Sequence, residues 1–401
     1  MIYTERKNCR ICDGEFEIVL DLGNIAVNDF VDNEQDVVYS PLTLVRCKKC
    51  SLVQLKHTTN QDKLYSYYWY LSGINKSMID SLQDVVDNIE KRIVLEDGDT
   101  VIDIGCNDGT MLGQYHNKKL YRIGFDPAQN LAEQAKKNCE VFHNTYFGTP
   151  DILVPKAKAI TSIAMFYDLE DPRNFIERIK EALRKDGIWV VQFTDLQSMF
   201  KINAYDNITH EHLEYYSFGV LKTLMEDHGL EIIDVSTNNV NGHSVRMYVG
   251  WKNEYIVQDS VVQHLNAERA YMEQFDNPFK AFADRCETLR VETRKFITDK
   301  ILEGKTIAAM GASSKGNTLL QYLGLSNKVI SYAGEVSPEK FGRKTVATNI
   351  PIIPELEAID RKPDYFLVLP WHFKNVLVEK HRAYLGNGGH FIIPCPELEI
   401  I

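Results

Sequence analysis

Residues 100–110, TVIDIGCNDGT, combine the three features that decide the fold of the surrounding chain. The apolar run at 100–105 predicts a buried strand, Gly105 ends it, and the polar turn that follows predicts the start of a helix. Glycine lets the backbone pass close to a ligand, and the first turn of a helix has free N–H groups. The stretch therefore predicts a ligand-binding turn at the edge of a sheet in an α/β domain.

The charges of this turn indicate the chemistry of the ligand. Asp103 and Asp108 would repel a pyrophosphate, and the G-x-N-D-G spacing differs from the dinucleotide G-x-G-x-x-G. The two carboxylates suit a ligand with an ammonium group and a cationic sulfur. Asp126 ends the next predicted strand, where an acid can bind both ribose hydroxyls. We therefore predict that S-adenosylmethionine binds Asp126 and five residues of the turn, Asp103, Gly105, Asn107, Asp108 and Gly109. The alternative is a glycine-rich turn with a capping aspartate.

Outward from this turn the chain alternates strand and helix patterns. Phe166 and Tyr167 end the third predicted strand and are candidates for contact with the adenine or sulfur of the cofactor, with core packing as the alternative. We predict a helix at 173–187 with Gly187 at its C-cap. Strands are predicted at 100–105, 120–126, 159–166, 187–194, 231–237 and 244–250. One or two long helices at 260–303 then lead to a second strand–helix series from 305 onward.

Two C-x2-C pairs near the front of the chain predict a metal site. Cys9 and Cys12 stand in CRIC, Cys47 and Cys50 in CKKC, and 34 residues separate the pairs. Two such knuckles provide four thiolates for one tetrahedral zinc ion and leave no open position, which is typical of a structural site. A redox C-x-x-C is the alternative, but it normally opens a helix in a thioredoxin-like unit, which the pattern lacks.

The segment DNITHEHLEYYSF (206–218) is the candidate for catalysis. It follows the strand predicted at 187–194, and ligands of open α/β sheets bind at the carboxyl ends of strands. A histidine beside a carboxylate can act as a general base near neutral pH, so His210, Glu211 and His212 are candidate catalytic residues. A metal site is disfavoured because the segment has no H-E-x-x-H. A satisfied polar cluster that caps the next helix is the alternative.

The C-terminal segment TIAAMGASSKGNT (306–318) again predicts a strand, a loop and a helix start. Gly311 and Gly316 imitate a P-loop, but Asn317 occupies the position of the essential lysine, which argues against an ATPase. Three residues at the helix N-terminus are candidates to bind a substrate phosphate: Ser313, Ser314 and Lys315. Glu335 ends the next strand, where a ribose-binding acid would lie. A vestigial nucleotide fold that only supports the cleft is equally compatible.

Composition excludes several classes of function. The 401 residues carry a net charge of −11 and no block of Lys or Arg, which disfavours nucleic acid as a partner. No apolar run approaches the roughly 20 residues that span a bilayer. The first residues contain no apolar signal segment, and the cysteines do not form a disulfide pattern. We expect a cytoplasmic enzyme that binds neither a membrane nor nucleic acid.

Six segments together resemble one family, that of the nucleotide-sugar C-methyltransferases. They are the two C-x2-C knuckles, DIGCNDGT with FDPA (103–110 and 125–128), THEHLEYYS (209–217), NGHSVR (241–246), GASSKGNTLLQYLG (311–324) and IPIIPE with PDYFLVLPWH (350–355 and 363–372). The resemblance implies three units: a small N-terminal zinc domain at 1–75, a class I methyltransferase Rossmann-like domain at 76–255, and a helical linker with a second Rossmann-like α/β domain at 256–401. It also implies carbon methylation of a nucleotide-linked keto-deoxysugar.

The same resemblance implies roles for particular residues. His212 matches the second histidine of the family's Y-H-E-H and would remove the proton next to the keto group, with Glu211 as the neighbouring carboxylate. Tyr70 matches a front-domain tyrosine near the sugar and is a candidate catalytic residue. We also predict that His210 and Tyr216 contact the substrate. Two departures, Thr209 where tyrosine is common and His243 where glycine is common, leave the exact sugar open.

Other functions remain compatible with the residues alone. An O- or N-methyltransferase acting on a similar sugar would need no enolate. A zinc adaptor that only holds nucleotides and an NAD-linked oxidoreductase are further alternatives, and Asp108 and Asp126 favour a methyltransferase over both. The nucleotide, the sugar and the oligomeric state stay undetermined at this level.

Overall fold

The strand predicted at 100–105 runs from Thr100 to Ile104, in the centre of a seven-stranded sheet of the computed structural model, which describes residues 2–32 and 37–401. Numbered along the chain, the strands lie in the order 3-2-1-4-5-7-6, and only the seventh is antiparallel to its neighbours. The order reverses between strands 1 and 4, which is where open α/β sheets bind ligands. In chain order the strands are Thr100–Ile104, Tyr121–Phe125, Val141–His143, Ala157–Ile163, Leu183–Phe193, Leu230–Asn238 and Ser244–Trp251.

Both faces of this sheet are covered, since the strand Thr100–Ile104 is buried throughout and the strand Ala157–Ile163 is buried at all but two of its residues. Successive residues of a strand point to opposite faces, so Val101 and Ile102 belong to different apolar clusters. Helices Pro172–Ala182 and Phe218–Asp227 cover the face of Ile102. The other face packs against Lys76–Arg92, whose Leu82, Val85, Val86 and Ile89 follow helical spacing, and against Thr110–Gln114.

The predicted C-cap at Gly187 is wrong. The helix ends at Ala182, and residues 183–187 already belong to the next strand, Leu183–Phe193. A Cβ atom on Gly187 would lie 2.9 Å from the carbonyl oxygens of Ala157 and Lys158. The glycine therefore allows two strands to approach closely and does not terminate a helix.

The front of the chain forms a four-stranded antiparallel sheet, and one of its strands comes from much later in the sequence. The order is Glu214–Tyr215, Val53–Leu55, Tyr39–Cys47 and Phe16–Ala26. The strand Glu214–Tyr215 follows residues 206–213, which include His210 and His212 and are called the histidine segment below. The histidine segment is therefore attached to the front sheet. Two small sheets pair Tyr3–Glu5 with His57–Thr59, and Phe30–Val31 with Lys344–Thr345. A short helix follows at Gln61–Tyr65. Two more, Ala132–Ala135 and Leu196–Lys201, lie between strands of the seven-stranded sheet along the chain.

The C-terminal part is a second α/β unit. The predicted long helices run from Asp259 to Met272 and from Pro278 to Leu302. A six-stranded sheet follows, parallel except for its last strand, in the order Ile352–Pro354, Ala333–Glu335, Ile307–Met310, Tyr365–Val368, His390–Ile393 and Glu399–Ile400. Its helices are Ser314–Leu323, Glu355–Asp360, Lys374–Lys380 and Arg382–Gly386.

One large apolar core joins this unit to the front sheet. It contains Leu44 of the front sheet, Phe200 of the middle of the chain, and Phe282 and Leu320 of the C-terminal part. Single 3-10 turns connect the elements at Ser72–Ile74, Gln129–Leu131, Phe166–Asp168, Tyr205–Asn207, Val240–Gly242, Pro338–Lys340 and Trp371–Phe373. Among the described residues, no helix has both the length and the apolar character needed to cross a membrane.

Candidate active site

The four paired cysteines lie together at one end of the front sheet. The Sγ atoms of Cys9 and Cys50 are 3.6 Å apart, and those of Cys12 and Cys47 are 3.4 Å apart. All four sulfur atoms lie within 4.8 Å of one another. A tetrahedral site with Zn–S bonds of about 2.3 Å requires sulfur atoms about 3.8 Å apart. The residues present therefore fit one zinc ion.

The turn after the central strand has the backbone conformation that its glycines allow. Gly105, Asn107 and Gly109 have φ angles of 69°, 53° and 75°. A side chain at Gly105 would start 3.2 Å from Met165, which faces it from the neighbouring strand end. The turn is thus shaped by glycines at the point where the strand order reverses.

Two carboxylates lie beside this turn. Asp126 accepts hydrogen bonds from the N–H groups of Asn107 (2.8 Å) and Ala128 (2.9 Å), and burial raises its pKa to about 6. Asp103 accepts a hydrogen bond from the Thr161 hydroxyl (2.7 Å), and burial raises its pKa to about 7. Both acids are held in fixed positions, as a site that recognises a cationic or hydroxyl-bearing ligand requires.

The side chains of Asn107 and Asp108 contact a segment that sequence reasoning did not connect with them. Asn107 Oδ1 accepts from the Ser72 N–H and its amide donates to the Tyr70 carbonyl, both at 3.0 Å. Asp108 Oδ2 accepts from the Gly73 N–H at 2.7 Å. The segment 70–73 therefore lies over the turn, and these two predicted cofactor residues are already hydrogen-bonded to it.

Tyr70 of this segment and Tyr68, two residues before it, have different surroundings. Tyr70, predicted near the sugar, is 41% exposed and lies near Asp108; burial, and then the charge of Asp108, raise its pKa to about 12. Tyr68 exchanges two hydrogen bonds with the Asn130 side chain. Burial raises the pKa of Tyr68, and the charges of Glu211, Asp168 and Asp126 raise it further. Tyr68 thus lies between the cofactor turn and the histidine segment.

Phe166, predicted to contact the cofactor, lies instead in the core. Its side chain is fully buried and stacks on Tyr216 with ring centres 5.3 Å apart, and it packs edge-on against Trp189. Tyr216, predicted to contact substrate, is fully buried in the same cluster. Aromatic packing replaces both predicted ligand contacts. Of the two neighbours of Phe166, Tyr167 lines a cleft and Met165 lies against Gly105.

His212 lines a cleft between the seven-stranded sheet and the C-terminal unit. Its Nδ1 is 2.8 Å from the carbonyl oxygen of Asn207, and its ring packs edge-on against Tyr167. A carbonyl oxygen can only accept, so Nδ1 carries the proton and Nε2 keeps its lone pair. Burial, and then the positive charge of Lys315, lower the pKa of His212 to about 3. The imidazole is therefore neutral.

His210 has a different environment from His212. It is buried, its Nε2 lies 3.0 Å from the carbonyl oxygen of Ser40, and burial lowers its pKa to about 4. The ring ties the segment to the front sheet, which replaces the substrate contact that was predicted for it. A backbone carbonyl 170 residues away gives no sequence signal that separates the two histidines.

Glu211 is held by two residues of the front domain that sequence reasoning missed. Its carboxylate accepts a hydrogen bond from Asn28 (3.1 Å), and its backbone carbonyl accepts one from the Tyr65 hydroxyl (3.0 Å). Burial raises the pKa of Glu211. The front domain therefore contributes directly to the surroundings of the histidine segment.

The C-terminal loop meets the same cleft through one residue. Lys315 lines it together with His212, Asn207 and Tyr167. Burial lowers the pKa of Lys315, and the nearby Asp206 partly offsets this. Ser313 is the N-cap of the helix Ser314–Leu323, and its hydroxyl accepts the Gly316 N–H at 3.0 Å. Of the three predicted phosphate ligands, Lys315 therefore reaches the cleft, and the Ser313 hydroxyl already has an internal partner.

Comparison with known proteins follows the same three parts of the chain. Residues 9–65 match the family "Putative zinc binding domain", residues 74–235 match "Methyltransferase domain", and residues 239–396 match "C-methyltransferase C-terminal domain". The C-methyltransferase NovU of Streptomyces niveus is 30% identical over 404 residues, which covers 98% of this chain and 96% of NovU.

Solved structures show weaker likeness. The magnesium protoporphyrin IX methyltransferase ChlM of Synechocystis PCC 6803 has 13% identity over 45% of this chain and 90% of its own, with a TM-score of 0.36. A ribosomal protein L11 methylase of Lactobacillus delbrueckii has 14% identity over 45% and 81%, with a TM-score of 0.32. Because these identities and TM-scores are low, the family assignment rests on the sequence matches and not on the solved structures.

The fold, the zinc knuckles and the sequence matches define the class of protein: a zinc-binding, S-adenosylmethionine-dependent methyltransferase. The chain belongs to the family of C-methyltransferases that combine a zinc-binding domain, a methyltransferase domain and a C-methyltransferase C-terminal domain, which supports methylation of carbon.

Proposed function

We propose that this enzyme methylates the carbon next to the keto group of a nucleotide-linked keto-deoxysugar, and that His212 is the base. The observation that carries the proposal is the hydrogen bond of His212 Nδ1 to the Asn207 carbonyl, which leaves Nε2 as a proton acceptor in the cleft. The sugar class is supported by the family resemblance of the segment THEHLEYYS and by the cation that Lys315 provides.

The chemistry requires a proton transfer before the methyl transfer. Nε2 of His212 takes the α-proton, and the electron pair of the C–H bond moves into an enolate. Lys315 lies in the same cleft, where its charge can stabilise either the enolate oxygen or a substrate phosphate. Bound S-adenosylmethionine supplies an electrophilic methyl group, to which the carbon forms its new bond while the S–C bond breaks.

We propose that the cofactor binds at the turn 105–109. We propose that Asp126 holds the ribose hydroxyls, since its carboxylate is fixed at the end of the second strand. Asp103 is positioned beside the same turn. The segment 70–73 would then close the site from the front domain. We propose that the chain divides after residues 75 and 255, with the enzyme acting in the cytoplasm.

Deuterium exchange at the acceptor carbon tests this proposal. Full-length enzyme in D2O is incubated with S-adenosylmethionine and 4-keto-deoxysugars linked to dTDP, GDP or CDP, and products are followed by mass spectrometry. One sugar is expected to gain a carbon-bound methyl group and to lose its α-proton to solvent. Methylation of oxygen or nitrogen, with the α-proton retained, would contradict the enolate mechanism.

A further inference from the structure

A buried arginine joins the first zinc knuckle to the strand that follows His212. Arg10 stands between the zinc-binding Cys9 and Cys12, and its side chain is fully buried. Its guanidinium donates to the Leu55 carbonyl at 2.6 Å and to the Thr58 hydroxyl at 2.7 Å. Both acceptors belong to the segment 53–59 of the front domain.

The same guanidinium faces two carboxylates of the methyltransferase part. Arg10 Nε lies 3.5 Å from Glu214 and 3.5 Å from Glu170. The Glu214 side chain is fully buried and its oxygens accept no hydrogen bond from the described residues; burial raises its pKa, and the charge of Arg10 partly offsets this. Removing one partner of a buried ion pair is strongly unfavourable because it leaves the other charge without compensation.

Gln54 adds a second connection at the same place. Its Nε2 donates to the Cys9 sulfur at 3.2 Å, and its Oε1 accepts the Arg10 N–H at 3.1 Å. Gln54 is also the residue that pairs with Glu214 in the front sheet. Gln54 thus contacts the zinc ligand Cys9 and the buried Arg10, and it pairs with the strand Glu214–Tyr215.

This strand begins two residues after His212. Leu213, between them, donates its N–H to the Tyr167 carbonyl and accepts from the Leu55 N–H, both at 2.8 Å. The backbone next to His212 is therefore held on one side by the methyltransferase part and on the other by the front sheet. The position of the His212 ring depends on both.

We propose that Arg10 is a positioning residue of the methyltransferase reaction, which couples the zinc knuckle to the His212 segment through Glu214. The role rests on the proposed function of His212 as the base. A bound zinc ion would fix the knuckle that contains Arg10. The guanidinium of Arg10 would then fix the strand Glu214–Tyr215 through Glu214, and this strand keeps the Nε2 of His212 directed into the cleft. Arg10 does not contact the cleft itself.

The test uses the full-length zinc protein with Arg10→Met, which keeps an unbranched side chain but removes the charge. Amide hydrogen exchange followed by mass spectrometry is expected to be about tenfold faster at 209–216, with exchange at 100–130 unchanged. S-adenosylmethionine affinity measured by calorimetry is expected to stay at the wild-type value. Ring nitrogen-15 spectra are expected to lose the single Nδ1–H form of His212.

Two further variants keep the result decisive. Arg46→Met is the matched control, because Arg46 lies in the same sheet and pairs with Glu17 away from the His212 segment. It is expected to leave exchange at 209–216 unchanged. Arg10→Met/Glu214→Gln removes the uncompensated charge, so it is expected to recover thermal stability while exchange at 209–216 stays fast.

Three results would overturn the role. One is unchanged exchange at 209–216 in Arg10→Met, and another is full recovery of protection in the double variant. The third is loss of zinc in both Arg10 variants, which would show that Arg10 only maintains the knuckle. The proposed function fails separately: wild-type α-proton exchange by His212→Asn would refute the base and would leave the amide-exchange result to be judged alone.

Discussion

The chain contains two turns with the same plan, one at 103–110 and one at 311–318. In each, a strand ends at a glycine with positive φ, 69° at Gly105 and 80° at Gly311. In each, an acid at the end of the neighbouring strand accepts a loop N–H at 2.8 Å, Asp126 from Asn107 and Glu335 from Ala312. The local pattern alone does not distinguish a turn that binds a ligand from a turn of the same shape that does not.

The surroundings of the two acids differ. Glu335 also accepts the N–H groups of Val336 and Ser337, and Lys340 lies 3.5 Å from it while donating to the Ala312 carbonyl. Within the part of the chain that the structure describes, Asp126 makes no ion pair. Both acids are buried, but the second accepts one more N–H group and lies beside a lysine, so we expect the first to be the acid that binds a ligand. What the C-terminal fold contributes to the cleft is Lys315.

The largest effect is expected at the cleft that His212 shares with Lys315 of the second turn. His212→Asn is expected to lower turnover and α-proton exchange by about 10²–10⁴, because the general base is removed, while S-adenosylmethionine affinity stays unchanged. Single-turnover kinetics and calorimetry measure the two quantities. His210→Asn is the matched control. A larger loss of α-proton exchange in His210→Asn than in His212→Asn would show that His210 is the base and His212 is not.

The next effect compares the two acids directly. Asp126→Ala is expected to weaken S-adenosylmethionine binding by roughly 2 kcal/mol, because charge-assisted hydrogen bonds to the ribose are lost. Glu335→Ala is expected to leave that affinity unchanged and to lower the melting temperature, since it leaves the N–H groups and Lys340 without their partner. Equal losses of affinity in calorimetry would show that both turns bind the cofactor.

A smaller effect is expected from the residue that the second turn contributes. Lys315→Met is expected to raise the KM for the nucleotide-sugar by roughly tenfold to thirtyfold, because a charge-assisted hydrogen bond is lost. S-adenosylmethionine affinity is expected to stay the same. If the KM is unchanged and only turnover falls, Lys315 acts on the enolate instead of a phosphate.

The smallest effect concerns pH. Burial raises the pKa of Asp126 to about 6, and the cofactor needs the carboxylate. Affinity for S-adenosylmethionine is therefore expected to be constant above pH 7 and to fall about tenfold by pH 5, as the free protein binds a proton that the complex excludes. Calorimetry from pH 5 to 8 measures this. Asp126→Asn should remove the part of the dependence that Asp126 causes, and a dependence that remains near pH 7 would come from Asp103, whose pKa burial raises to about 7. Proton abstraction should not titrate near the usual pKa of histidine, since that of His212 is lowered to about 3.

The sequence by itself determined the features that depend on residues close together along the chain. Strand and helix periodicity, the glycine turn at 105–109, and the spacing of two C-x2-C pairs are local patterns, and they were sufficient for the α/β fold, the cofactor and the zinc site. The resemblance of six segments was sufficient for the family. The limits of the three domains stay a prediction, because contacts of the apolar core cross them.

Only the tertiary structure decided which side chains of the candidate segments face a cleft. His210 and His212 stand two positions apart, but one meets the Ser40 carbonyl and the other the Asn207 carbonyl. Phe166 and Tyr167 are adjacent, yet the first is buried in the core and the second lines the cleft. The partner of His212 is only five residues away, but that of His210 lies 170 residues away in the front sheet. The strand Glu214–Tyr215 pairs with Val53–Leu55 of the same sheet, and no local pattern indicates either of these long-range contacts.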